Sequence, residues 1–252
     1  FDHKRIDDVD TSRSSDIHYT KNYELKIVCV GALNKTKNQI ALLEALKKSK
    51  LSAEIIFLGD GNMRESLLKA SKQVPDNIKI NFKGRVSRDL AIEHMLEADV
   101  SISLSKGEGL PIAILESMYA GCFMVLSKIP PHNEISPPEE RCMYVDSEDE
   151  DQIIEALKYI SVNLNKIKGS RSLSREYSIK NFSANNMLST YKEIYKSLWA
   201  VPSFKWLEMN LVEITGQPCS GKSTLMNTYT FDGIKPQVYK QGLFLKLINF
   251  IR

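Results

Sequence analysis

A chain of 252 residues that is 42% hydrophobic and 26% charged has the composition of a soluble globular protein, long enough for one large or two small domains. Its formal net charge of +3 argues against a nucleic-acid partner, and the surplus lies in residues 200–252, where six Lys/Arg stand against three Asp/Glu. No apolar run reaches membrane-spanning length, and Cys29, Cys122, Cys142 and Cys219 lack metal-ligand spacing, so they read as reduced core or loop residues of a cytosolic protein.

Residues 1–22 are polar, without periodicity, and begin at Phe1 with neither a methionine nor a signal peptide. They are expected to be a linker leaving a preceding domain of a longer chain. An apolar strand at 25–30 ends in Gly31. Asn34, Lys35, Thr36, Lys37 and Asn38 follow, then a helix to about residue 48 with Ile40, Leu43 and Leu46 on its apolar face. A second strand at 54–58 ends in Gly59-Asp60-Gly61, read as a tight turn ahead of a ligand contact, and a helix spans 64–72. A third strand at 78–82 ends in Lys83-Gly84-Arg85, and Ser87 can cap a helix running to about 97.

The fourth strand, 100–104, leads into Ser105-Lys106-Gly107-Glu108-Gly109-Leu110-Pro111 and a helix over 111–120 that stops at Gly121. Pro111 suits a first helical turn, where a missing N–H costs nothing, and glycine suits the stop. A strand, a glycine loop and a helix start aim free N–H groups and the positive dipole end at whatever sits over the loop, typically a phosphate. Two carboxylates flank this start, Glu108 and Glu116, with seven residues between them. Glu116 lies about 7.5 Å beyond Pro111 along the helix, at 1.5 Å per residue. There it can accept hydrogen bonds from both hydroxyls of a ribose whose diphosphate sits on the helix tip, while Glu108 faces the other substituent.

A fifth strand at 123–126, a proline-rich loop (Pro130, Pro131, Pro137, Pro138) and a sixth strand at 142–145 follow, and helices at 150–160 and 183–199 close the domain. Apolar strands alternating with helices, with glycines at the strand C-terminal ends, predict an α/β fold with a doubly wound, Rossmann-like parallel sheet that binds ligands across those ends. His94, on a helix away from the strand tips, is expected to be structural; His132, in the proline loop, stays open.

The segment Glu108-Gly109-Leu110-Pro111, then Leu115-Glu116-Ser117-Met118 and Gly121, resembles the glutamate–seven–glutamate motif of family-four retaining glycosyltransferases, which have the GT-B fold. The resemblance covers about residues 24–199, the C-terminal donor-binding half, and the acceptor-binding N-terminal half is absent. It implies transfer of a sugar, with retention, from a nucleotide-diphosphate-sugar to a glycan or lipid-linked acceptor. The resemblance also implies that the transfer needs no cofactor and no metal. The implied catalytic residues are Glu108, on the donor sugar, and Lys37. The implied donor-binding residues are Gly31, Lys35, Arg85, Gly109, Leu110, Pro111 and Glu116, the last on the ribose. Lys37 matches the family's loop lysine, but Ala32 stands where an arginine is usual. Lys35 is a candidate substitute, though a point charge and not a fork. A solvated loop at Lys35 and Lys37, and a degenerate nucleotide-sugar-binding module, remain alternatives. Arg85 has two readings, stacking on the base or facing solvent. One half alone is expected to be catalytically silent.

Near the C-terminus, a strand at 211–214 precedes Gly216-Gln217-Pro218-Cys219-Ser220-Gly221-Lys222-Ser223-Thr224, a complete P-loop pattern. Its N–H groups would cradle phosphates with Gly216, Ser220 and Gly221 shaping the loop. Lys222 would reach the terminal phosphates, and Ser223, followed by Thr224, would ligate Mg²⁺ of a bound Mg-ATP. A P-loop nucleotide kinase or ATPase is therefore the rival function. Too few residues follow for a whole such domain. The expected divisions are a linker at 1–22, a donor-binding domain at 23–199, a second linker at 200–210 and a P-loop fragment at 211–252. Residues 243–251, apolar with Lys246, Asn249 and Arg252 at every third position, fit a core helix of that fragment or, second, a helix on the inner face of a membrane.

Overall fold

The computed structural model describes residues 3–11, 23–199, 212–213, 237–238 and 244–246. The chain divides into two compact units, Phe1–Ala184 and Asn185–Arg252.

All six predicted strands form in the first unit: β1 (Leu25–Val30), β2 (Ala53–Leu58), β3 (Ile78–Gly84), β4 (Val100–Ser103), β5 (Phe123–Ser127) and β6 (Cys142–Val145). They make one parallel sheet in the order β3-β2-β1-β4-β5-β6. Every residue of β2 and β5 is buried, as expected of strands covered on both faces. One face carries α2 (Gln39–Leu46), α3 (Arg64–Ser71) and α7 (Glu150–Val162), which bury Leu42, Leu43, Leu67, Ile153 and Leu157 against it. The other carries α4 (Arg88–Glu97) and α5 (Ile112–Tyr119), with Ile92, Met95, Leu115 and Met118 in the core. Strand order reverses between β1 and β4, so the loops after these two strands part and leave a crevice, where open α/β sheets bind ligands.

Several segments depart from the sequence expectations. Residues 1–22 carry a helix, α1 (His3–Thr11), whose Ile6 and Val9 are buried, and it packs on α4 and α5. Two apolar side chains one turn apart were too few to show a periodicity. The proline-rich loop starts as a short helix, α6 (Pro130–Ile135), because both prolines take first-turn positions where no N–H is needed. Two further helices, α8 (Leu164–Gly169) and α9 (Arg171–Phe182), were not foreseen. α9 lies against α5, yet its buried positions are Ser174 and Ser178. Tyr177 and Phe182 pack beside them but stay partly buried, so the face leaves a weak hydropathy signal.

Gly59 shows why the turn after β2 is glycine. At φ +142°, a Cβ there would lie 2.0 Å from the Gly31 carbonyl oxygen, so the turn braces the loop after β1 and its role is structural, as predicted.

The described residues of the second unit hold α10 (Ala184–Trp199) from its second residue on, the expected last helix, and three short strands, β7 (Val212–Glu213), β8 (Gln237–Val238) and β9 (Phe244–Lys246). β9 pairs antiparallel with both others. The helix expected over 243–251 is therefore corrected: Phe244–Lys246 is a central strand. Residues 216–224, with the P-loop pattern, lie outside the described residues. No helix among the described residues is long and apolar enough to cross a membrane.

Candidate functional site

The loop after β1 and the loop after β4 form the two walls of the crevice. They are tied together by Lys106 N–H donating to Thr36 O at 2.8 Å. The first loop holds its shape through Lys37 N–H to Asn34 Oδ1 and Gln39 Nε2 to Ala32 O, both at 2.8 Å. Gly31 passes over the Lys37 stem, and a Cβ at Gly31 would lie 3.5 Å from Lys37 Cε. That directs the ammonium group across to the second loop, where Lys37 Nζ donates to Glu108 Oε1 at 2.5 Å and Oε2 at 2.6 Å. Lys37 keeps 28% of its side-chain exposure and Glu108 only 9%. The pair faces an open cleft of about 130 Å³ lined also by Gly31, Leu110 and Pro111.

Beneath the pair lies a buried polar chain. Ser105 Oγ donates to Glu108 Oε1 at 2.6 Å, and Ser127 Oγ, at the end of β5, donates to Ser105 O at 2.6 Å. His132 is fully buried on α6, with Nδ1 3.0 Å from Ser127 O, which places its proton on Nδ1. Burial pushes its pKa below the ordinary value, so the ring is neutral near pH 7. Through Ser127 it braces the end of β5 against the loop that carries Ser105 and Glu108. His94 is likewise buried, as expected of a structural histidine. Burial also pushes the Cys29 thiol on β1 up to about 12, so it carries no thiolate into the cleft.

At the start of α5, the N–H groups of Glu108, Gly109 and Leu110 meet no acceptor among the described residues. Pro111 is the N-cap, with no side-chain capping bond to compete for the helix end. Further along α5, Glu116 is buried and pairs with Arg88, the first residue of α4. Arg88 Nε lies 2.7 Å and Nη2 2.5 Å from Glu116 Oε1.

The fold thus brings together Gly31, Lys37, Glu108, Leu110 and Pro111, with Gly109 exposed on the same loop. It does not bring Lys35 to them. Lys35 lines a neighbouring depression with Gln39 and Lys106. Arg85 is exposed, with no hydrogen bond or ion pair among the described residues. Sequence reasoning missed Arg88, Ser105 and Ser127. Ser105 was within sight, three residues before Glu108 in the same loop. Nothing in the sequence joins Arg88 to a carboxylate 28 residues away. No group of three or more His, Cys, Asp or Glu that could hold a metal occurs among the described residues.

Residues 11–168 match the family model described as "Glycosyl transferases group 1". Among solved structures, the catalytic domain of a cholesterol-α-glucosyltransferase from Helicobacter pylori is 19% identical with a TM-score of 0.55, covering 62% of this chain and 98% of that one. Sucrose-phosphate synthase from Thermosynechococcus elongatus is 17% identical with a TM-score of 0.63, covering 79% and 51%. HepE of Anabaena, in complex with UDP and glucose, is 17% identical with a TM-score of 0.64, covering 78% and 55%. At these identities the likeness is one of fold, and this chain spans about half the length of the last two. No curated protein matches.

Proposed function

Because this chain belongs to the group 1 glycosyltransferases, we propose that residues 23–199 are the donor-binding half of a retaining transferase that uses a nucleotide-diphosphate-sugar. The observation that carries this function is the Lys37–Glu108 pair at the mouth of the crevice, beside N–H groups without acceptors. An ammonium group offers three donors and trades a carboxylate for a phosphate readily. The diphosphate sits on the loop N–H groups and Lys37. Glu108, with Ser105 fixing one oxygen, contacts the sugar, and Glu116 accepts from the ribose. In the transfer, the anomeric carbon leaves the diphosphate oxygen and bonds to the acceptor oxygen. The diphosphate oxygen takes the electron pair and then the proton that the acceptor hydroxyl gives up. Lys37 and the N–H groups stabilise the charge that builds on the leaving group. Gly31, Gly109, Leu110 and Pro111 shape the donor site, and the acceptor, a glycan or a lipid-linked glycan, enters from the other half of the enzyme. Lys37 supplies the cation the diphosphate needs, so binding should survive EDTA.

HepE was crystallised with UDP, which makes UDP the first probe for titration against the full chain, followed by GDP and ADP. Binding that falls at least tenfold in Lys37→Ala supports this function. Absence of binding to all three contradicts it. The pattern at residues 216–224 supports a separate proposal, resting on sequence alone, of a Mg-ATP site that Lys222→Ala would abolish.

A further inference from the structure

Arg88 stands at the start of α4, just past the C-terminal end of β3, on the same edge of the sheet as the crevice. Its two donors, Nε and Nη2, converge on one oxygen of Glu116, Oε1. Glu116 Oε2 and Arg88 Nη1 make no hydrogen bond among the described residues. The carboxylate is 8% exposed and the guanidinium in front of it 40%. The pair therefore leaves the Oε2 acceptor and the remaining guanidinium N–H groups unspent.

A carboxylate alone offers only acceptors, so both hydroxyls of a diol must donate to it. With Oε1 held by two N–H groups, only Oε2 is left to accept, and a guanidinium donor stands on the same carboxylate. A vicinal diol meets an acceptor–donor pair differently: one hydroxyl donates, and the oxygen of the other accepts. We propose that Arg88 and Glu116 form one recognition unit for the ribose diol of the nucleotide, with Glu116 Oε2 accepting from one hydroxyl and Arg88 donating to the other. This rests on the donor-half function above. Arg88 is then a specificity-determining residue for ribose. The guanidinium is fitted to the role because its planar fork spends two donors on Glu116 and still has others to offer.

The test is calorimetric titration of the full chain with UDP and with 2′,3′-dideoxyuridine diphosphate, which keeps base and phosphates but lacks the diol. If GDP or ADP is the better ligand, that nucleotide and its dideoxy form replace them. The wild type should favour the ribonucleotide at least tenfold. Arg88→Ala should weaken the ribonucleotide about tenfold and the dideoxy form less than twofold, and Arg88→Lys should restore part of the loss. Glu116→Ala should abolish the same discrimination. Thermal unfolding confirms that each variant is folded. Equal weakening of both nucleotides would mean that Arg88 only supports the fold, and together with an unchanged ratio would overturn the proposal. Failure of UDP, GDP and ADP to bind the wild type would instead overturn the donor-half function, and the proposal with it.

Discussion

The two edges of the sheet use buried charge in opposite ways. At the edge where the strands end, Lys37 is held by a carboxylate and keeps part of its surface in an open cleft. At the edge where the strands begin, Arg141 is fully buried ahead of β6, and its donors go to fixed partners. Nε donates to Ser174 Oγ at 2.9 Å, Nη1 to Ile167 O at 2.5 Å and Nη2 to Gly121 O at 2.6 Å. It joins the end of α5 to α8 and α9. Asp99, also at that edge, accepts from Lys26 N–H at 3.1 Å and faces Lys168 and Arg171 at 3.3 and 3.8 Å. A cation bonded to uncharged carbonyls has nothing to trade and stabilises. A cation bonded to a half-open carboxylate can exchange it for a ligand. Burial lowers the Arg141 pKa to about 10, still well above neutrality, so it stays charged and dependent on those acceptors and on Ser170 Oγ, 3.3 Å from Nη1.

The largest expected effect follows from breaking the closed edge. Arg141→Met should destabilise the chain by about 3 kcal/mol in urea unfolding, since it strands two buried carbonyls. A loss below about 1 kcal/mol would show that α9 is held by other contacts. At the open edge the effects should reverse. Lys37→Ala should cost about 2 kcal/mol of UDP affinity, because the bonds it offers the diphosphate are charge-assisted, and less stability than Arg141→Met, because the ammonium group is partly exposed. Gly59→Ala should lie between them. Its Cβ meets the Gly31 carbonyl, so the loop must shift, with about 1–2 kcal/mol lost in stability and a matching loss in binding.

The smallest effect concerns pH. His132 and His94 both have pKa values lowered mainly by burial, so the folded state binds fewer protons than the unfolded one as pH falls below about 6.5. Stability from these groups is present above that pH and is lost as pH falls towards their folded pKa values. Melting curves from pH 7.5 to 5 should show the decline, and His132→Asn should flatten part of it. An identical pH slope in the variant would assign the effect to other groups.

The open edge was legible in the sequence because covalent order assembles it. Glu108, Gly109 and Pro111 share one loop and helix start, and Lys37 follows the glycine of β1 at short range. The closed edge was not. Arg141 reaches Ser174 across 33 residues and bonds backbone carbonyls, which exist in every residue type. α9 packs through two buried serines with Tyr177 and Phe182 beside them, α1 through two apolar residues, and the Arg88–Glu116 pair joins two helices that no motif connects. Residues 243–251 read as helical from a spacing of three that β9 does not use.

The central claim, that the open edge is a nucleotide-diphosphate site built on Lys37, is tested most directly by titrating UDP into the full chain and its Lys37→Ala and Lys222→Ala variants. The account predicts binding that Lys37→Ala weakens at least tenfold and Lys222→Ala leaves unchanged. Binding that ignores Lys37→Ala and disappears with Lys222→Ala would contradict it.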